Sequence, residues 1–586
     1  MAPVDQSRLA DYGEYIETAM TSWHCPGTAV AIVKADEVVF QSVHGARDIE
    51  ARLPLTSDTR FPLASVTKSV TAMSAALLVD DGLLAWDTPV REYVPDLVFH
   101  DDYVTQHVTV RDMLSHRTGL PRHDLSAWRL DLPRAEYVKR LRHLVPSATF
   151  REKFQYNNLM YYSTAYLVET IAGRRWEEFV DDRIFVPLGM TASNFQPEPP
   201  VDGQTLAKGY RPERDDAGSV TSLVETPVGA HTDLSPGAAG ALFSTLDDLV
   251  RWLSVHVNQG RVGSTQLVSP ANLQQMHLPH TVIPGGGINE ALFGSTLMAY
   301  GMGWMIQPYR GLTVVQHGGN VEGHSLMIGF VPSERLGVVV LTNLASTPLR
   351  DALLYESIDR ALGLDSRDWS GRFHQIADPL VAGRARSKVE TAAARVSGAP
   401  MTHPLADYAG TFTHPGYPAI EVKTDGEELR ARLAGSLDWA PFTHQHYDVF
   451  EWDLTDFEWR VMVRYLTDDR GELASISLPI ESAVANLEFT RAPVSVPGSV
   501  LDALVGVYET PVEGVAVTVS RRADSLFIGV TGSAPRAATA YRLSDDRVGF
   551  RIDRSRFDFE LAGDRAGRLT YHGDGVILHA EKGDDS

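Results

Sequence analysis

Cysteine is almost absent from this chain of 586 residues, which contains only one, Cys25. A single cysteine excludes an intrachain disulfide framework. We expect Cys25 to be a small buried or loop residue, because no partner for a cysteine nucleophile stands out. Long apolar runs are also missing, since none reaches the roughly 18 residues that span a bilayer. Residues 1–20 contain acidic residues and lack a basic flank before an apolar core, so no signal peptide is predicted. We therefore expect a cytoplasmic protein.

Positive charge is in short supply as well. The chain has 53 Lys and Arg against 75 Asp and Glu, a formal net charge of −22. Such a balance argues against nucleic acid or an anionic membrane as a partner. His444 and His446 lie in a strand-like stretch without a third ligand nearby, so no metal and no cofactor are predicted. We expect a small-molecule or short-peptide substrate, and a homo-oligomer is compatible with the sequence.

The tetrapeptide Ser65-Val66-Thr67-Lys68 carries the most chemical information. It opens a predicted helix from Ser65 to about Asp81, in which a spacing of three places both side chains on one face. A serine hydroxyl needs a neighbouring base to act as a nucleophile, and Lys68 can be that base if burial or nearby positive charge lowers its pKa. The alternative is that Ser65 only caps the helix and that Lys68 is solvated. The apolar residues around the motif favour a buried lysine, and the pair then predicts acyl transfer through a covalent serine intermediate.

The length predicts two to four domains. Strand-like runs occur early, at 28–33 and 38–43, and again late, at 313–316, 325–330 and 338–341. Helical patterns dominate between them, from 65 to about 260, and one more helix is predicted at about 348–362. Strands at both ends with helices between them indicate one antiparallel sheet built from both termini, with a helical lobe. A cleft between sheet and lobe is a natural site.

The composition changes near residue 382. Residues 382–400 have the appearance of a linker, and short alternating strands separated by Gly, Asp and Asn follow it. A weak internal repeat with a spacing near one hundred residues relates Tyr408–Phe412 to Leu504–Tyr508. We therefore predict a first domain at 1–381, a linker at 382–400, and two all-β, barrel-like domains at 401–495 and 497–586.

Two further motifs are candidates for the same site. Tyr156 lies about ninety residues after Ser65, and a depressed pKa beside Lys68 would let it exchange protons with Ser65 or a leaving group. Asn158 is placed to orient Lys68 and a substrate amide, although an ordinary loop explains a lone Tyr-x-Asn equally well.

His317-Gly318-Gly319-Asn320 ends the first late strand. Two glycines let a substrate backbone approach the strand edge, and the backbone amides of Asn320 and Ser65 are candidates for an oxyanion hole. The alternative is a Gly-Gly hairpin turn with an exposed histidine.

These three motifs, in this order and spacing, resemble the serine β-lactamase and penicillin-binding-protein superfamily on its class C-like side. Other segments of residues 10–365 add to the resemblance. Residues 113–121 resemble the family's LLxHxSGLP loop, 185–190 its PLGM segment, 237–252 its GGLxSTxxDLxxW helix and 300–304 its YGLGW segment.

The resemblance implies a multidomain α+β protein. Its β-lactamase-like catalytic domain combines an antiparallel sheet with a helical lobe, and two all-β, lipocalin-like barrels follow, an architecture similar to the D-aminopeptidase branch. It implies Ser65 as the acylated nucleophile, Lys68 and Tyr156 as the proton-transfer pair and Asn158 as an orienting residue. The substrate-binding candidates are Asn158, His317, Gly318, Gly319 and Asn320.

One departure from the family pattern bears on the substrate. In β-lactamases and DD-peptidases the third motif usually begins with lysine, whose charge helps to hold a carboxylate, whereas His317 is mostly neutral at pH 7. We therefore expect a serine hydrolase that cleaves an amide or peptide bond of a small peptide or amino-acid amide, with D-residue preference open. A carboxylesterase, or an acyl transferase or peptide cyclase, is the alternative. A β-lactamase or DD-carboxypeptidase is less favoured, and a catalytically silent binding protein is the non-enzyme alternative.

Overall fold

The computed structural model describes most of the chain. The described residues are 4–127, 132–195, 206–215, 217–226, 237–321, 323–393, 395–396, 398–436, 439–454, 459–469, 471–543, 547–553, 555–562, 565–573 and 576–583. The helices are α1 (Tyr12–Trp23), α2 (Thr67–Asp80), α3 (Asp102–His107), α4 (Val110–Leu114), α5 (Arg134–Arg140), α6 (Leu159–Ala172), α7 (Trp176–Val180), α8 (Val186–Leu188), α9 (Leu246–Val257), α10 (Pro270–His277), α11 (Ile288–Phe293), α12 (Leu349–Leu362), α13 (Trp369–Ala393), α14 (Leu405–Tyr408) and α15 (Gly498–Leu504).

A nine-stranded antiparallel sheet organises the N-terminal region. The strands there are β1 (Gly27–Lys34), β2 (Glu37–Asp48), β3 (Leu53–Pro54), β4 (Phe61–Pro62), β5 (Gly209–Arg214), β6 (Val220–Thr226), β7 (Phe243–Ser244), β8 (Arg261–Val262), β9 (Thr265–Gln266), β10 (Thr281–Pro284), β11 (Leu297–Tyr300), β12 (Met305–Tyr309), β13 (Leu312–Val321), β14 (His324–Val331) and β15 (Leu336–Thr342). The order in the large sheet is β10-β11-β12-β13-β14-β15-β1-β2-β3. Ala31 of β1 lies opposite Val339 of β15 and Gln41 of β2. The predicted union of early and late strands in one sheet is therefore confirmed.

The interior strand β1 is buried along nearly its whole length. Because successive side chains of a strand point to opposite sides, both faces of the sheet are covered there. Val30 and Ile32 belong to one apolar cluster, which includes residues of α1 and α12. Ala29 and Ala31 belong to a second cluster, which includes residues of α2, α6 and α9. The helical lobe that was predicted between the strands lies on this second face.

Two closed barrels of eight antiparallel strands follow. The first barrel is built from β16 (Gly410–His414), β17 (Tyr417–Asp425), β18 (Glu428–Leu433), β19 (Ala440–His446), β20 (Val449–Leu454), β21 (Trp459–Thr467), β22 (Leu473–Leu478) and β23 (Leu487–Arg491). The second barrel is built from β24 (Gly506–Glu509), β25 (Ala516–Arg522), β26 (Ser525–Val530), β27 (Arg536–Leu543), β28 (Arg547–Ile552), β29 (Ser555–Ala562), β30 (Arg565–Gly573) and β31 (Val576–Lys582). The prediction of barrel-forming strands is confirmed.

The internal repeat has a structural counterpart at the entry to each barrel. Gly410 and Gly506 each begin the first strand with a φ of 151°, a conformation that is open essentially to glycine. Arg491 and Lys582, at the ends of the last strands, donate hydrogen bonds to backbone carbonyls just before these glycines. The repeat therefore corresponds to the same closure of each barrel.

The prediction of a linker at 382–400 needs correction for its first half, because α13 runs through the predicted boundary as far as Ala393. The Ala- and Arg-containing stretch has high helix propensity, which outweighed its appearance as a linker. Within the described part of the chain, no helix is both long and apolar enough to cross a membrane.

Candidate active site

Ser65 lies in a 3-10 turn, Ala64–Val66, which leads directly into α2. The backbone N–H of Leu63 donates to the carbonyl of Leu242 at 2.7 Å and anchors the entry to this turn. Ala64 has a φ of 45°, a left-handed conformation that costs a non-glycine residue about 1–3 kcal/mol. The tight turn leaves Ser65 partly exposed at the helix N-terminus, where negative charge is favoured.

Lys68 is completely buried one turn further along α2. Its Nζ lies 3.0 Å from Ser65 Oγ and donates to the carbonyl of Ala239 at 2.9 Å. Burial lowers the pKa of Lys68 well below its usual value, and the nearby positive charge of Arg122 lowers it further, against an opposing effect of Asp124. The prediction of a buried lysine beside the serine is confirmed by this geometry.

Tyr156 lies in the loop just before α6 and contacts Ser65. Its Oη donates to Ser65 Oγ at 2.9 Å, and its ring lies 4.8 Å from Lys68 Nζ. The expectation of a depressed pKa is wrong, because burial of the phenol raises the pKa of Tyr156 above its usual value and outweighs the lowering effects of Ser65 and Arg122. Tyr156 is therefore a protonated donor at neutral pH.

His317 is buried in β13, and the alternative of an exposed histidine in a turn is wrong. Nδ1–H donates to the carbonyl of Gly318 at 2.8 Å, and Nε2 accepts from the Tyr300 hydroxyl at 2.9 Å. Burial lowers the pKa of His317 to about 3, and Lys68 contributes to this shift. The ring is therefore neutral, as expected from its residue type, and both of its nitrogens are used.

The second half of β13 forms a strand edge against the Ser65 turn. β12 pairs with β13 only from Leu312 to Gln316, so the following residues of β13 have a partner on the β14 side alone. A Cβ at Gly319 would lie 2.3 Å from the carbonyl oxygen of Leu63, which explains why glycine is needed at this close approach.

The neighbouring residues of this edge are held by side chains. Arg350 donates to the carbonyl of Gly319 and, at 3.0 Å, to Asn320 Oδ1. A Cβ at Gly318 would lie 3.2 Å from the guanidinium carbon of Arg350. The side-chain oxygen of Asn320 also accepts from the Ser325 hydroxyl at 2.8 Å. The Asn320 side chain thus holds the strand edge, and its backbone stays the candidate for an oxyanion contact.

Asn158 lies just before α6, and of its two predicted roles the structure does not support the one toward Lys68. Its Nδ2 donates to Asp124 Oδ1 at 2.9 Å, instead of contacting Lys68. Its Oδ1 is buried and has no hydrogen-bond partner among the residues that the structure describes. The predicted contact of Asn158 with a substrate amide stays a prediction.

Four side chains around the site were missed as site residues. Arg122 lies over the Tyr156 ring, with 5.1 Å from its guanidinium carbon to the ring centroid, and Asp124 pairs with it. The ring of His116 lies against the ring of Tyr156 in a tilted arrangement, with 4.5 Å between their centroids, and Tyr300 contacts His317. His116 and Tyr300 belong to segments 113–121 and 300–304, whose family resemblance was a signal for them, whereas no local pattern marks Arg122 or Asp124.

The contacts of Ser65 favour one direction of proton transfer, from Ser65 Oγ to Lys68 Nζ. Because Tyr156 donates its hydrogen to Ser65 Oγ, the hydroxyl hydrogen of Ser65 is left for the other neighbour, Lys68 Nζ. The lowered pKa of Lys68 favours its neutral form, in which Nζ no longer has to donate to Ser65 Oγ and presents a lone pair to that hydrogen while its N–H binds Ala239. This geometry suits removal of a proton from Ser65 during nucleophilic attack. Among the described residues, no group of three or more His, Cys, Asp or Glu side chains is arranged to hold a metal ion.

Comparison with known proteins gives two family matches. A family model described as Beta-lactamase matches residues 13–362. A second model, described as a domain of unknown function (DUF3471), matches residues 394–492 and so covers the first barrel.

The relatives with curated descriptions include two fungal proteins. An unguisins hydrolase, ungD', of Aspergillus campestris (strain IBT 28561) is 30% identical over 445 residues, which are 72% of this chain and 79% of that protein. An unguisins hydrolase, ungD, of Aspergillus violaceofuscus (strain CBS 115571) is 28% identical over 522 residues, which are 84% and 87% of the two chains. Among solved structures, the octameric penicillin-binding protein homologue from Pyrococcus abyssi aligns with a TM-score of 0.54 and 20% identity, over 97% of this chain and 99% of that one. This last likeness supports the fold.

Proposed function

Because the chain belongs to the β-lactamase family of serine hydrolases, we propose that it cleaves an amide or peptide bond of a small peptide or amino-acid amide through an acyl-Ser65 intermediate. The observation that carries the proposal is the convergence of Lys68 Nζ and Tyr156 Oη on Ser65 Oγ, at 3.0 and 2.9 Å. The names of the two fungal relatives agree with hydrolysis.

In the proposed reaction, Ser65 Oγ attacks the carbonyl carbon of the substrate while its proton passes to Lys68. The backbone N–H groups of Ser65 and Asn320 stabilise the oxyanion. Tyr156 then gives its proton to the leaving nitrogen as the C–N bond breaks, and Lys68 returns a proton to Tyr156. Water cleaves the acyl ester by the reverse sequence, and Ser65 regains its proton.

The neutral state of His317 is the argument against a β-lactamase or DD-carboxypeptidase. With Nδ1–H bound to Gly318 and Nε2 bound to Tyr300, the ring supplies neither charge nor a free donor to a substrate carboxylate. A carboxylesterase, and an acyl transferase or peptide cyclase, pass through the same acyl-enzyme. The substrate panel below separates the carboxylesterase from the amidase.

The test is a matched panel of D- and L-aminoacyl p-nitroanilides and p-nitrophenyl esters, assayed with the wild type, Ser65→Ala and Ser254→Ala. Ser254 lies on α9 and donates only to the backbone of its own helix, so it is the control serine. Anilide cleavage that is lost in Ser65→Ala and kept in Ser254→Ala supports the amidase. Cleavage of esters alone assigns the carboxylesterase, and anilide cleavage that survives in Ser65→Ala overturns the proposal.

A further inference from the structure

Among the contacts between the first barrel and the helical lobe is a buried histidine, His123. The backbone N–H of His123 donates to Glu481 Oε2 at 2.8 Å. Its ring lies between two partners, with Nε2 2.9 Å from the carbonyl of Val145 and Nδ1 2.5 Å from the Tyr417 hydroxyl. Because Nε2–H must donate to the carbonyl, Nδ1 accepts from Tyr417. Two barrel residues thus hold both the backbone and the ring of His123.

His123 is held in an unusual backbone conformation. Its φ is 46°, in the left-handed region that a residue other than glycine adopts at a cost of about 1–3 kcal/mol. The residues on either side of it both reach the candidate active site. Arg122 covers the ring of Tyr156 at 5.1 Å, and Asp124 accepts from Asn158 at 2.9 Å. Arg122 Nε–H also donates to Asp124 at 2.6 Å, so the two form one unit.

The geometry points to the first barrel as part of the active site: Tyr417 and Glu481 hold His123, and so position the Arg122–Asp124 pair against Tyr156 and tune the reactivity of Ser65. This inference rests on the proposed function. It assigns Tyr417, Glu481 and His123 as positioning residues, since none of them is in contact with Ser65. It also gives the region described as a domain of unknown function a role in this chain, which is to hold the segment of the catalytic lobe that carries the Arg122–Asp124 pair.

The charge pair acts on Lys68, the group whose deprotonation the reaction needs. Lys68 is faced by the rings of Tyr156 and Tyr161, and the charges of Arg122 and Asp124 act on it with opposite signs. His116 and His317 also face it, and burial keeps both of them neutral. Burial is the main cause of the lowered pKa of Lys68, the positive charge of Arg122 lowers it further, and Asp124 opposes both. Loss of Arg122 leaves Asp124 unopposed, and both effects raise the pKa of Lys68.

The pH dependence of Ser65 acylation by an alkyl fluorophosphonate tests this inference without a known substrate. In the labelling step the Ser65 Oγ–P bond forms, the P–F bond breaks with loss of fluoride, and the Ser65 proton passes to Lys68. The labelling rate therefore falls at low pH, where Lys68 is protonated. We expect this acid limb to move upward by about one pH unit in Arg122→Gln, which is about tenfold slower labelling on the limb.

The barrel variants carry the decisive comparison. Tyr417→Phe and Glu481→Gln leave Arg122 in the chain, and we expect each to move the limb in the same direction by about half a pH unit. In an Arg122→Gln background, Tyr417→Phe should add no further shift, because both changes act through the same charge. Arg122→Lys keeps the charge and should restore most of the wild-type limb.

A matched control separates positioning from general damage to the barrel. Tyr465 is also buried in the first barrel, but its hydroxyl donates within the barrel, to the carbonyl of Tyr408 at 2.7 Å. Tyr465→Phe should lower stability and leave the acid limb in place. An unchanged limb in Tyr417→Phe and Glu481→Gln, with Ser65 labelled, overturns the inference alone. An unlabelled Ser65 in the wild type overturns the proposed function, and this inference with it.

Discussion

The two barrels share a topology and differ in how they join the rest of the molecule. Residues of the first barrel belong to the same apolar cluster as α2, α6 and α9 of the catalytic lobe. Residues of the second barrel form an apolar cluster of their own. Its contacts with the first barrel include ion pairs of Arg551 and Arg556 with Glu472, at 3.1 and 2.5 Å, on partly exposed side chains.

The difference is one of energetic coupling. A shared apolar core makes the folding of two regions interdependent, whereas partly exposed ion pairs contribute about 0–1 kcal/mol each. The first barrel is therefore expected to unfold with the catalytic lobe, and the second barrel to open separately. A tandem repeat in sequence thus does not imply two equivalent parts in function.

The largest expected effect comes from a matched pair of core truncations. Phe450 and Phe559 are both buried, one in each barrel, and Phe→Ala at either position should cost about 3–5 kcal/mol. Phe450→Ala should lower the temperature at which Ser65 loses fluorophosphonate labelling, because its core includes α2. Phe559→Ala should lower only the free energy of unfolding of the second barrel, which hydrogen exchange measures. Equal losses of Ser65 labelling in the two variants would contradict the claim that only the first barrel unfolds with the catalytic lobe.

Lys68→Met tests from the catalytic lobe whether the first barrel shares its stability. Burial holds the folded-state pKa of Lys68 below its ordinary value, so between the two values the unfolded chain binds more protons. Stability from this group therefore falls as the pH falls from the ordinary lysine pKa toward the folded one. The variant should lose labelling, gain about 1–2 kcal/mol near neutral pH and lack this slope.

The gain should appear in the catalytic lobe and the first barrel together. Thermal unfolding and hydrogen exchange across a pH series measure it, and a gain confined to the lobe would contradict a shared core. Ser254→Ala is the control in the same experiment.

A smaller effect is expected at the seam between the first barrel and the lobe. A Cβ at Gly416 would lie 2.7 Å from Leu144 Cδ2, the movable end of a side chain, so Gly416→Ala should cost about 1 kcal/mol. Gly567, in the second barrel, has no atom within 4 Å of such a Cβ. Gly567→Ala should therefore change the free energy of unfolding little, and chemical denaturation of the two variants gives the difference.

The smallest effect is expected between the barrels. Glu472→Gln removes the charge that Arg551 and Arg556 share and should cost less than about 1 kcal/mol, with no change in the pH dependence of Ser65 labelling. Hydrogen exchange in the second barrel measures the loosening. A shift of the acid limb in this variant would show that the second barrel also acts on the active site.

Much of this fold was predictable because its signals are local. Short strand-like runs located β1 and β2 and the late strands, and the order of the motifs placed Ser65, Lys68, Tyr156 and His317 in one region. The end of α13 was missed because loop-like composition and helix propensity compete there. The pKa of Tyr156 was predicted to be lowered and is raised, because the burial of its phenol depends on tertiary packing.

The contribution of Arg122 was beyond reach of any local pattern. Its place over Tyr156 depends on the left-handed conformation of His123. His123 is held by Tyr417 and Glu481, which lie 294 and 358 residues further along the chain. Three such side chains have no spacing rule between them. Tertiary contacts of this kind decide how a recognisable motif is tuned.

The most direct test of the account is to trap the acyl-enzyme. The wild type and Ser65→Ala are each mixed with an aminoacyl p-nitroanilide that the wild type cleaves. The reactions are quenched in acid during turnover and examined by intact-protein and peptide mass spectrometry. The account predicts that the wild type gains the mass of the acyl group on the peptide that contains Ser65, and that the variant gains none. Release of p-nitroaniline by Ser65→Ala at the wild-type rate, or an acyl adduct on another residue, would contradict it.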